Sequence, residues 1–311
     1  MSNKIKNGFR YLTDPDFRFS INASRGLMDK LSDEEYIRKK WKAFYGEDID
    51  LNNPQTLCEK LQWLKLYYRK PEFTRMVDKY EAKKIVAERL GEEYVIPTIG
   101  IWNHANEIDF DALPNQFVLK PTHDSGGLVI CRDKSKLDIE AAKAKLEKSL
   151  SHNYYLGGRE WPYKHVKPRI IAEPLIEQLG KPESLEYKTT CFNGKVAFVT
   201  ICSGIAHSAF ELRKNDHFDT NFNKMEWYVN YKPAPVTPQK PEQWDEIIKF
   251  CETLAEGIPY LRVDSYIING QLIFGEMTFY TWGGFMHFEP KEWDLKLGQM
   301  LELPKEKSLM D

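Results

Sequence analysis

The sequence predicts a protein of the α+β class, because stretches with helical and with strand periodicity lie in different parts of the chain. Residues 1 to about 75 carry apolar and aromatic residues at helical spacing. After residue 90 the pattern changes to short β-prone runs that alternate with turns and helices. Two Asn-Gly dipeptides, at 193–194 and 269–270, each lie between two β-prone runs and predict β-hairpins.

Length and composition indicate a folded protein with a large core. The chain has 311 residues, of which 42% are hydrophobic and 13% aromatic, enough for two or three packed lobes. A net charge of −2 gives no electrostatic footprint for nucleic acid.

The five cysteines show no C-x-x-C spacing, which indicates reduced core residues instead of a disulfide framework or a zinc site. There is no 18-residue apolar run and no apolar signal stretch at the N-terminus, so we expect a cytoplasmic protein without a transmembrane segment.

Three stretches in the first 90 residues have helical periodicity, at 33–45, 56–68 and 78–90. The second has an apolar stripe that indicates core packing more than membrane association. The third carries Lys79 and Lys83 on its polar sides. We therefore expect the second of these helices to pack inside the protein.

A loop of small residues after a predicted strand indicates an anion site. The strand at 117–121 contains Lys120 and runs into a loop that includes Ser125, Gly126 and Gly127. Glycines let main-chain amides approach an anion closely, and the neighbouring lysine favours phosphate. An ordinary turn is the alternative, because the loop is not a Walker motif.

Two irregular stretches are candidates for substrate contacts. Residues 153–164 are rich in aromatic residues, glycine and charge, as in a lid or a binding loop, with a packed structural loop as the alternative. Residues 203–236 lack clear periodicity, and we interpret them as substrate-facing loops. The candidate residues of the two stretches are Arg159, Tyr163, His207 and Arg213.

Two further positions indicate a ligand cleft. The predicted strand at 169–173 is interrupted by Pro174, which stiffens a crossover between lobes and leaves neighbouring main-chain groups free for a ligand. Lys188 lies within the β-prone run before the first Asn-Gly turn. A lysine there lies either at a sheet edge or facing a ligand.

The second Asn-Gly hairpin carries two carboxylates, Asp264 and Glu276, in an otherwise apolar run. A two-residue loop would place them on opposite faces of the sheet, whereas a three-residue loop with a bulge at Gly270 would place them on one face with Arg262 and Thr278. Neighbouring carboxylates need a cation or a proton between them, and hard oxygen ligands suit Mg²⁺ that carries nucleotide phosphates. A half-solvated hairpin is the alternative. The magnesium hypothesis therefore requires an odd-membered or bulged turn.

The order of these features is more informative than any one of them. A lysine before a Gly-Gly loop, a strand that ends in Glu-Pro, a lysine in a hairpin, and Asp and Glu on a second hairpin follow one another along the chain. This order resembles the ATP-grasp fold, and more closely the ATP-grasp family named after the TupA protein of teichuronopeptide synthesis. The resemblance covers nearly the whole chain, through short motifs at 53–56, 59–67, 77–80, 117–120, 157–161, 168–173, 187–188, 192–195, 262–264, 274–278 and 292–298.

The resemblance implies a fold and a nucleotide site. ATP would lie between two α+β lobes. Residues 1–75 would form a helical N-terminal region, residues 76–172 the N-terminal and ATP-lid lobes, and residues 173–311 the C-terminal lobe with the metal site. Lys120 and Lys188 would contact phosphates, and Arg262 would stabilise the transferring phosphoryl group or the acyl phosphate, so Arg262 and Lys188 are the candidate catalytic residues. The other nucleotide contacts would be Ser125, Gly126 and Gly127 over the phosphates, Glu173, Pro174 and Leu175 along the adenine, and Glu177 at the ribose.

The resemblance also implies a metal site, with Mg²⁺ held by Asp264 and Glu276 and with Thr278 where many ATP-grasp enzymes place a metal-binding Asn. The chain departs from the family pattern in three places. An extra carboxylate, Asp124, precedes the glycine loop, where it would weaken ATP binding or bind metal. The turn at 279–284 and the stretch at 203–223 also differ, so the acceptor is not carried over.

The resemblance implies an ATP- and Mg²⁺-dependent ligase that joins a carboxylate to an amine through an acyl phosphate. The carboxylate would belong to a uronic acid or amino acid, free or sugar-linked, of a surface polysaccharide, and peripheral association with the polysaccharide assembly machinery is compatible with this role. Three alternatives stay open: a sugar phosphotransferase, a glycosyltransferase with a D-x-D motif at 48–50 or 109–111, and a noncatalytic scaffold.

Overall fold

The N-terminal part of the chain is helical, as predicted. The computed structural model describes residues 3–124, 126–205 and 210–308. Capping boxes, in which a Ser or Thr side chain and a Glu three residues later bond each other's main-chain amides, begin the third and fourth helices at Ser32 and Thr56. The helices are α1 (Asn3–Thr13), α2 (Pro15–Ser24), α3 (Asp33–Tyr45), α4 (Leu57–Tyr67), α5 (Pro71–Val77) and α6 (Lys79–Leu90). None of the helices in the described ranges is both long and apolar enough to cross a bilayer.

A four-stranded antiparallel sheet follows these helices. Its strands are β1 (Gly100–Trp102), β2 (Phe117–Pro121), β3 (Val129–Cys131) and β4 (Ile170–Pro174), in the spatial order β1-β4-β2-β3. Between β3 and β4 the chain forms α7 (Ile139–Leu150) and α8 (Tyr154–Gly158). Leu146 of α7 packs with Phe117 and Leu119 of β2, so α7 and this sheet enclose a core of their own.

A six-stranded antiparallel sheet makes up most of the remaining chain, in the spatial order β10-β9-β5-β6-β7-β8. Its strands are β5 (Glu186–Phe192), β6 (Lys195–Ser203), β7 (Lys214–Phe218), β8 (Lys224–Met225), β9 (Tyr260–Ile268) and β10 (Gln271–Thr278). The helices α9 (Trp244–Ala255) and α10 (Glu292–Met300) accompany it. The mixture of helices and antiparallel sheets confirms the predicted α+β class.

The larger hydrophobic core joins the N-terminal helices to the six-stranded sheet. Tyr36 of α3, Leu61 of α4 and Val86 of α6 belong to the same buried cluster as Leu254 of α9 and Leu261 of β9. The N-terminal helices thus share their core with the C-terminal half of the chain. The lobe boundaries at residues 75 and 172 stay a prediction.

The Asn269-Gly270 turn has two residues, so the expectation of a three-residue loop is wrong. Ile268 pairs with Gln271, and both turn residues have positive φ, 53° and 82°. The bulge lies instead inside β10, where the pairing steps from Phe274 to Glu276. A Cβ on Gly275 would stand 2.9 Å from the carbonyl oxygen of Asp264, so only glycine fits the bulge.

This bulge brings Asp264 and Glu276 opposite each other in the sheet. The extra residue that the magnesium hypothesis requires is therefore present as Gly275, five residues beyond Gly270 of the turn. Lys188 of β5 pairs with Asp264 from the other side. Because β5 lies between β6 and β9, Lys188 is in the middle of the sheet and not at its edge.

Candidate active site

Two cavities meet at a common wall. The larger has a volume of about 630 Å³ and lies over one face of the six-stranded sheet. The smaller has a volume of about 390 Å³ and lies between the two sheets. Both are lined by Lys79, Glu186 and Glu276. A ligand in one cavity can therefore reach a ligand in the other across these three side chains.

Strand alternation explains which residues line the larger cavity. Every second residue of a strand faces the same side, so a row of side chains from each strand forms the cavity floor. The rows consist of Glu186, Lys188 and Thr190 on β5, Phe198, Thr200 and Cys202 on β6, Asn215 and His217 on β7, Tyr260 and Arg262 on β9, and Glu276 and Thr278 on β10.

The smaller cavity has an apolar part and a cationic part. Its apolar walls suit a flat aromatic base, and the predicted crossover runs along it. The apolar side chains are Ile96, Val118, Leu128, Ile130, Leu175 and Leu179, and the crossover contributes Glu173, Pro174, Leu175 and Glu177. All four predicted adenine and ribose residues therefore lie on this cavity, together with the predicted phosphate contact Lys120.

Glu173 holds two lysines at the cationic part. Its buried carboxylate accepts a hydrogen bond from Lys83, and its Oε2 lies 2.6 Å from Lys120 Nζ. Burial favours the neutral acid, but the ammonium groups of Lys120 and Lys83 outweigh it and lower the pKa of Glu173. The Glu173 side chain thus positions the ammonium groups of Lys83 and Lys120.

Lys79 and Lys83 were missed as site residues. The sequence contained a usable signal, because positions four apart on α6 lie on one helix face. Burial lowers the pKa of both ammonium groups. Lys79 Nζ donates to the main-chain oxygen of Asp124, at the start of the glycine loop.

Asp124 shapes the glycine loop. Its Oδ1 accepts the main-chain N–H of Gly126 at 3.2 Å, and its Oδ2 accepts the hydroxyl of Ser149. A Cβ on Gly127 would stand 2.5 Å from Pro121 Cγ and from Ser149 Oγ, so the loop packs too closely for any other residue. Because both carboxylate oxygens are engaged, Asp124 acts here as a loop residue. The predicted Ser125 lies outside the described residues.

A charge network fills the floor of the larger cavity beside the common wall. The carboxylate of Asp264 is fully buried and lies 2.6 Å from Arg262 Nε and 2.6 Å from Lys188 Nζ. Burial favours its neutral form, but Arg262 and Lys188 outweigh it and lower the pKa of Asp264. Lys188 Nζ is also 2.9 Å from Glu186 Oε2, and Asp264 raises the pKa of Lys188 against the effect of burial.

The three predicted metal ligands converge on one point, which a cationic nitrogen of Arg262 occupies. Arg262 Nη2 lies 2.8 Å from Asp264 Oδ2 and 3.1 Å from both Glu276 Oε1 and Thr278 Oγ1. Two carboxylates and a hydroxyl around a positive charge fit a hard cation such as Mg²⁺, provided that Arg262 gives up this position. In the described part of the chain, no group of three or more His, Cys, Asp and Glu side chains is arranged for a metal.

The predicted substrate contacts separate into two groups. Tyr163 and Arg213 line the larger cavity. Arg159 is not brought to it, because its buried guanidinium donates to the main-chain oxygens of Met28 and Leu31 and clamps the segment before α3. His207 lies outside the described residues.

The far end of the larger cavity is built from residues that sequence reasoning missed. The ring of His217 stacks on Trp227 at 3.6 Å, and its Nδ1 lies 2.8 Å from Thr200 Oγ1. Burial, with a smaller effect of Lys224, lowers the pKa of His217 to about 3. The side chain is therefore neutral at physiological pH. In the sequence, Arg213, Asn215 and His217 are polar residues at every second position, as on one face of a strand. This alternation is too short to be recognised from the sequence.

Comparison with known proteins places this architecture in a family. The family described as TupA-like ATPgrasp matches residues 59–302. A search of curated protein sequences gives no match. Among solved structures, the chain is similar to the D-alanine–D-alanine ligase from Bacillus anthracis complexed with ATP (17% identity, 85% of this chain and 81% of that chain, TM-score 0.43). It is also similar to D-cycloserine synthetase DcsG (13% identity, 73% and 71%, TM-score 0.41).

A further similar structure is the ATP-grasp ligase PsnB complexed with a phosphomimetic variant of its minimal precursor, Mg and ADP (10% identity, 89% of this chain and 72% of that chain, TM-score 0.43). The family match extends from α4 through the glycine loop and both hairpins to α10. It thus includes every element that lines the common wall of the two cavities. The chain belongs to the TupA-like ATP-grasp family.

Proposed function

We propose that the protein is an ATP- and Mg²⁺-dependent ligase that joins a carboxylate to an amine through an acyl phosphate. The observation that carries the proposal is the common wall, where cationic and anionic side chains separate a base-sized cavity from a larger one. In this proposal ATP occupies the smaller cavity, and the carboxylate and the amine occupy the larger one. The γ-phosphoryl group lies at the wall, within reach of both.

The number of cations supports nucleotide binding. A unit charge pair at 4 Å is worth about 4 kcal/mol at an effective dielectric constant of 20, so one lysine does not hold a tetra-anionic nucleotide. The smaller cavity has Lys79, Lys83 and Lys120 on one side, and Lys188 and Arg262 lie beyond the wall. Gly126 and Gly127 would cover the phosphates, and the main chain from Glu173 to Leu175 would contact the adenine.

Asp264, Glu276 and Thr278 would hold the magnesium ion. When bound, the ion would screen charge between phosphate oxygens and make the γ-phosphoryl group more electrophilic. Glu276 is the most accessible of the three, with a side chain 44% exposed at the wall. Arg262 would leave the position between their oxygens and turn towards the phosphoryl group.

The chemical steps follow from this placement. An oxygen of the substrate carboxylate attacks the γ-phosphoryl group, ADP leaves, and an acyl phosphate forms. Arg262 and Lys188 stabilise the negative charge of the transferring group, as preorganised cations do in a site shielded from water. The amine then attacks the acyl carbon, and phosphate leaves.

The walls of the larger cavity support a uronic acid or amino acid of a surface polysaccharide as the acid. Aromatic side chains of Trp227, Tyr231 and Tyr163 line the same cavity as the hydrogen-bonding groups of Thr200 and Asn215. Aromatic faces with adjacent polar groups suit a sugar ring, which has apolar C–H faces and hydroxyl edges.

The test is an ADP-release screen of uronic acids and amino acids against amines, with ATP and Mg²⁺. A ligase requires both the acid and the amine, and mass spectrometry should find a product equal to their sum less one water. A phosphorylated sugar would make the protein a phosphotransferase, and consumption of a sugar nucleotide without ATP would make it a glycosyltransferase. The absence of ADP release with every pair would contradict the ligase. The exposed Glu140→Gln variant serves as a control for protein handling, because that side chain is on α7, away from both cavities.

A further inference from the structure

A buried charge cluster lies on the larger cavity, apart from the predicted site residues. Glu160, which is 7% exposed, and Lys40 line the cavity, and Lys65 lies directly behind them, fully buried. The three residues come from the segment after α8, from α3 and from α4. None of them has a role in the phosphoryl transfer described above.

Helix α4 fixes this cluster in place. Lys65 Nζ donates to the main-chain oxygens of Gly158 at 2.9 Å and Gly283 at 2.6 Å. Gln62, one turn earlier, donates to the main-chain oxygens of Gly283 and Gly284. The helix thereby ties the end of α8 to the turn that follows β10.

The glycines leave room for the Glu160 carboxylate. A Cβ on Gly158 would stand 2.9 Å from Glu160 Oε1, and a Cβ on Gly283 would stand 3.7 Å from it and 4.0 Å from Lys65 Nζ. The carboxylate and the ammonium group therefore approach the same small space between the two loops. A residue with a side chain at Gly158 would displace the carboxylate.

The Glu160 carboxylate is influenced by charges from every element around it. Lys65 of α4, Lys40 of α3 and Arg262 of β9 oppose the rise that burial causes in the pKa of Glu160, whereas Glu276 of β10 adds to it. Tyr163 lines the same cavity. Within the described part of the chain, none of them donates a hydrogen bond to the Glu160 carboxylate. A charged acceptor that is buried, lies on the cavity and has no hydrogen-bonding partner is available to a substrate.

We infer that Glu160 is the general base of the amide-forming step, on a segment that Lys65 holds through the main-chain oxygen of Gly158. The inference rests on the proposed function and extends it to the amine. An amine enters from water as an ammonium ion, which cannot attack carbon until it loses a proton. Glu160 accepts that proton.

The three protons of the ammonium group go to different places in this step. The ammonium group gives one proton to the Glu160 carboxylate, and the nitrogen lone pair forms the C–N bond while the bond from the acyl carbon to the phosphate oxygen breaks. A second N–H proton leaves with the phosphate as HPO₄²⁻, and the amide keeps the third. Glu160 then returns its proton to solvent, so the overall reaction releases ADP, HPO₄²⁻ and one proton.

The environment suits this role. Burial raises the pKa of Glu160, although Lys65 opposes the shift, and a base with a pKa nearer to neutral accepts a proton from an ammonium ion at a smaller cost. Burial also lowers the pKa of Lys65 to about 7.

The experiment compares two nucleophiles in Glu160→Gln, with the most active acid of the ADP-release screen. One nucleophile is the amine that the screen identifies, and the other is hydroxylamine, which is unprotonated at neutral pH and needs no base. We expect Glu160→Gln to lose about 10²-fold or more of its turnover with the amine, the usual contribution of a general base. Hydroxamate formation should stay close to that of the wild type, and so should nucleotide affinity measured by calorimetry.

Two further measurements complete the test. The residual rate of Glu160→Gln with the amine should rise with pH in proportion to the free amine, and Glu140→Gln should behave as the wild type with both nucleophiles. If Glu160→Gln does not fold, Glu160→Asp is measured in the same way and should show the same selectivity to a smaller degree.

An equal loss with both nucleophiles, in whichever variant folds, would overturn the inference, because a merely structural role affects both. Failure of the proposed function looks different. In that case the wild type itself forms no hydroxamate with any acid.

Discussion

The two cavities differ in how their charges are arranged. In the smaller cavity the cations are held by a buried carboxylate, as Lys83 and Lys120 are held by Glu173. The far end of the larger cavity has neutral groups instead, the stacked rings of His217 and Trp227 beside Thr200. Most charged groups of the larger cavity lie at the common wall and around Glu160, and Arg213, just before β7, is a further charged residue on its lining. Charge is thus concentrated where phosphate and proton would move, and the remaining lining of the larger cavity is mainly neutral.

The largest expected effect comes from the wall, where the two cavities meet. Glu276→Gln should lower ATP turnover by ~10²–10³-fold, the cost of removing one preorganised electrostatic group from a reacting centre. Its stability in urea should stay near that of the wild type, because the side chain is half-exposed.

Asp264→Asn should lower both the turnover of ATP and the stability of the fold. It should lower turnover similarly, and it should also reduce the free energy of unfolding by about 3–5 kcal/mol, because it leaves Arg262 and Lys188 without their buried counter-charge. Near-normal turnover in both variants would remove the metal assignment. Equal loss of stability in both would contradict the difference in burial.

A smaller effect is expected at the glycine loop, which in the proposed function covers the phosphates of ATP. Gly127→Ala places a Cβ 2.5 Å from Pro121 Cγ, and the loop must shift, at a cost of about 1–3 kcal/mol. The measurement is the KM for ATP, which should rise while the KM for the acid stays unchanged. Gly8→Ala on α1 is the control, because no described atom lies within 4 Å of its added Cβ and the residue lines neither cavity. A change in both KM values would mean that the cavities do not act separately.

The same contrast explains how much could be predicted from the sequence. Lys120 and Glu173 of the smaller cavity, and the glycine loop after β2, lie in short motifs, so they could be named from the sequence. Their pairing could not, because Lys120 meets Glu173 only through the register of β2 and β4. The shared face of Asp264 and Glu276 could be argued, but the turn was wrong, since the signal for a bulge was the strand glycine at 275.

Some residues of the larger cavity could not be predicted from the sequence, for a physical reason. Lys65 and Glu160 are 95 positions apart in the chain, and only the packing of α4 against two loops brings them together. A lysine on an amphipathic helix is normally solvated, and nothing local indicates that this one is buried. His217 lies in a strand of five residues, too short for its alternation to stand out.

The smallest expected effect tests the neutral end of the acceptor cavity. The pKa of His217 is about 3 in the folded protein, whereas an unperturbed histidine titrates near 6.5. Below pH 6.5 the unfolded chain therefore binds a proton that the folded chain does not. Stability that is fully present above this pH is lost as the pH falls towards 3, by about 1.4 kcal/mol per pH unit.

Urea unfolding of the wild type and of His217→Gln at pH 7, 6 and 5 measures this contribution, because carboxylates contribute equally to both proteins. The variant should be less stable at pH 7, where it loses the stacked ring, and should lose less stability on acidification. His104→Gln is the control, since that side chain is 68% exposed and its removal should leave the slope unchanged. Equal slopes for the wild type and His217→Gln would mean that His217 is protonated inside the fold. The stacked rings of His217 and Trp227 would then carry a positive charge, and the contrast between the charged wall and this neutral stack would not hold.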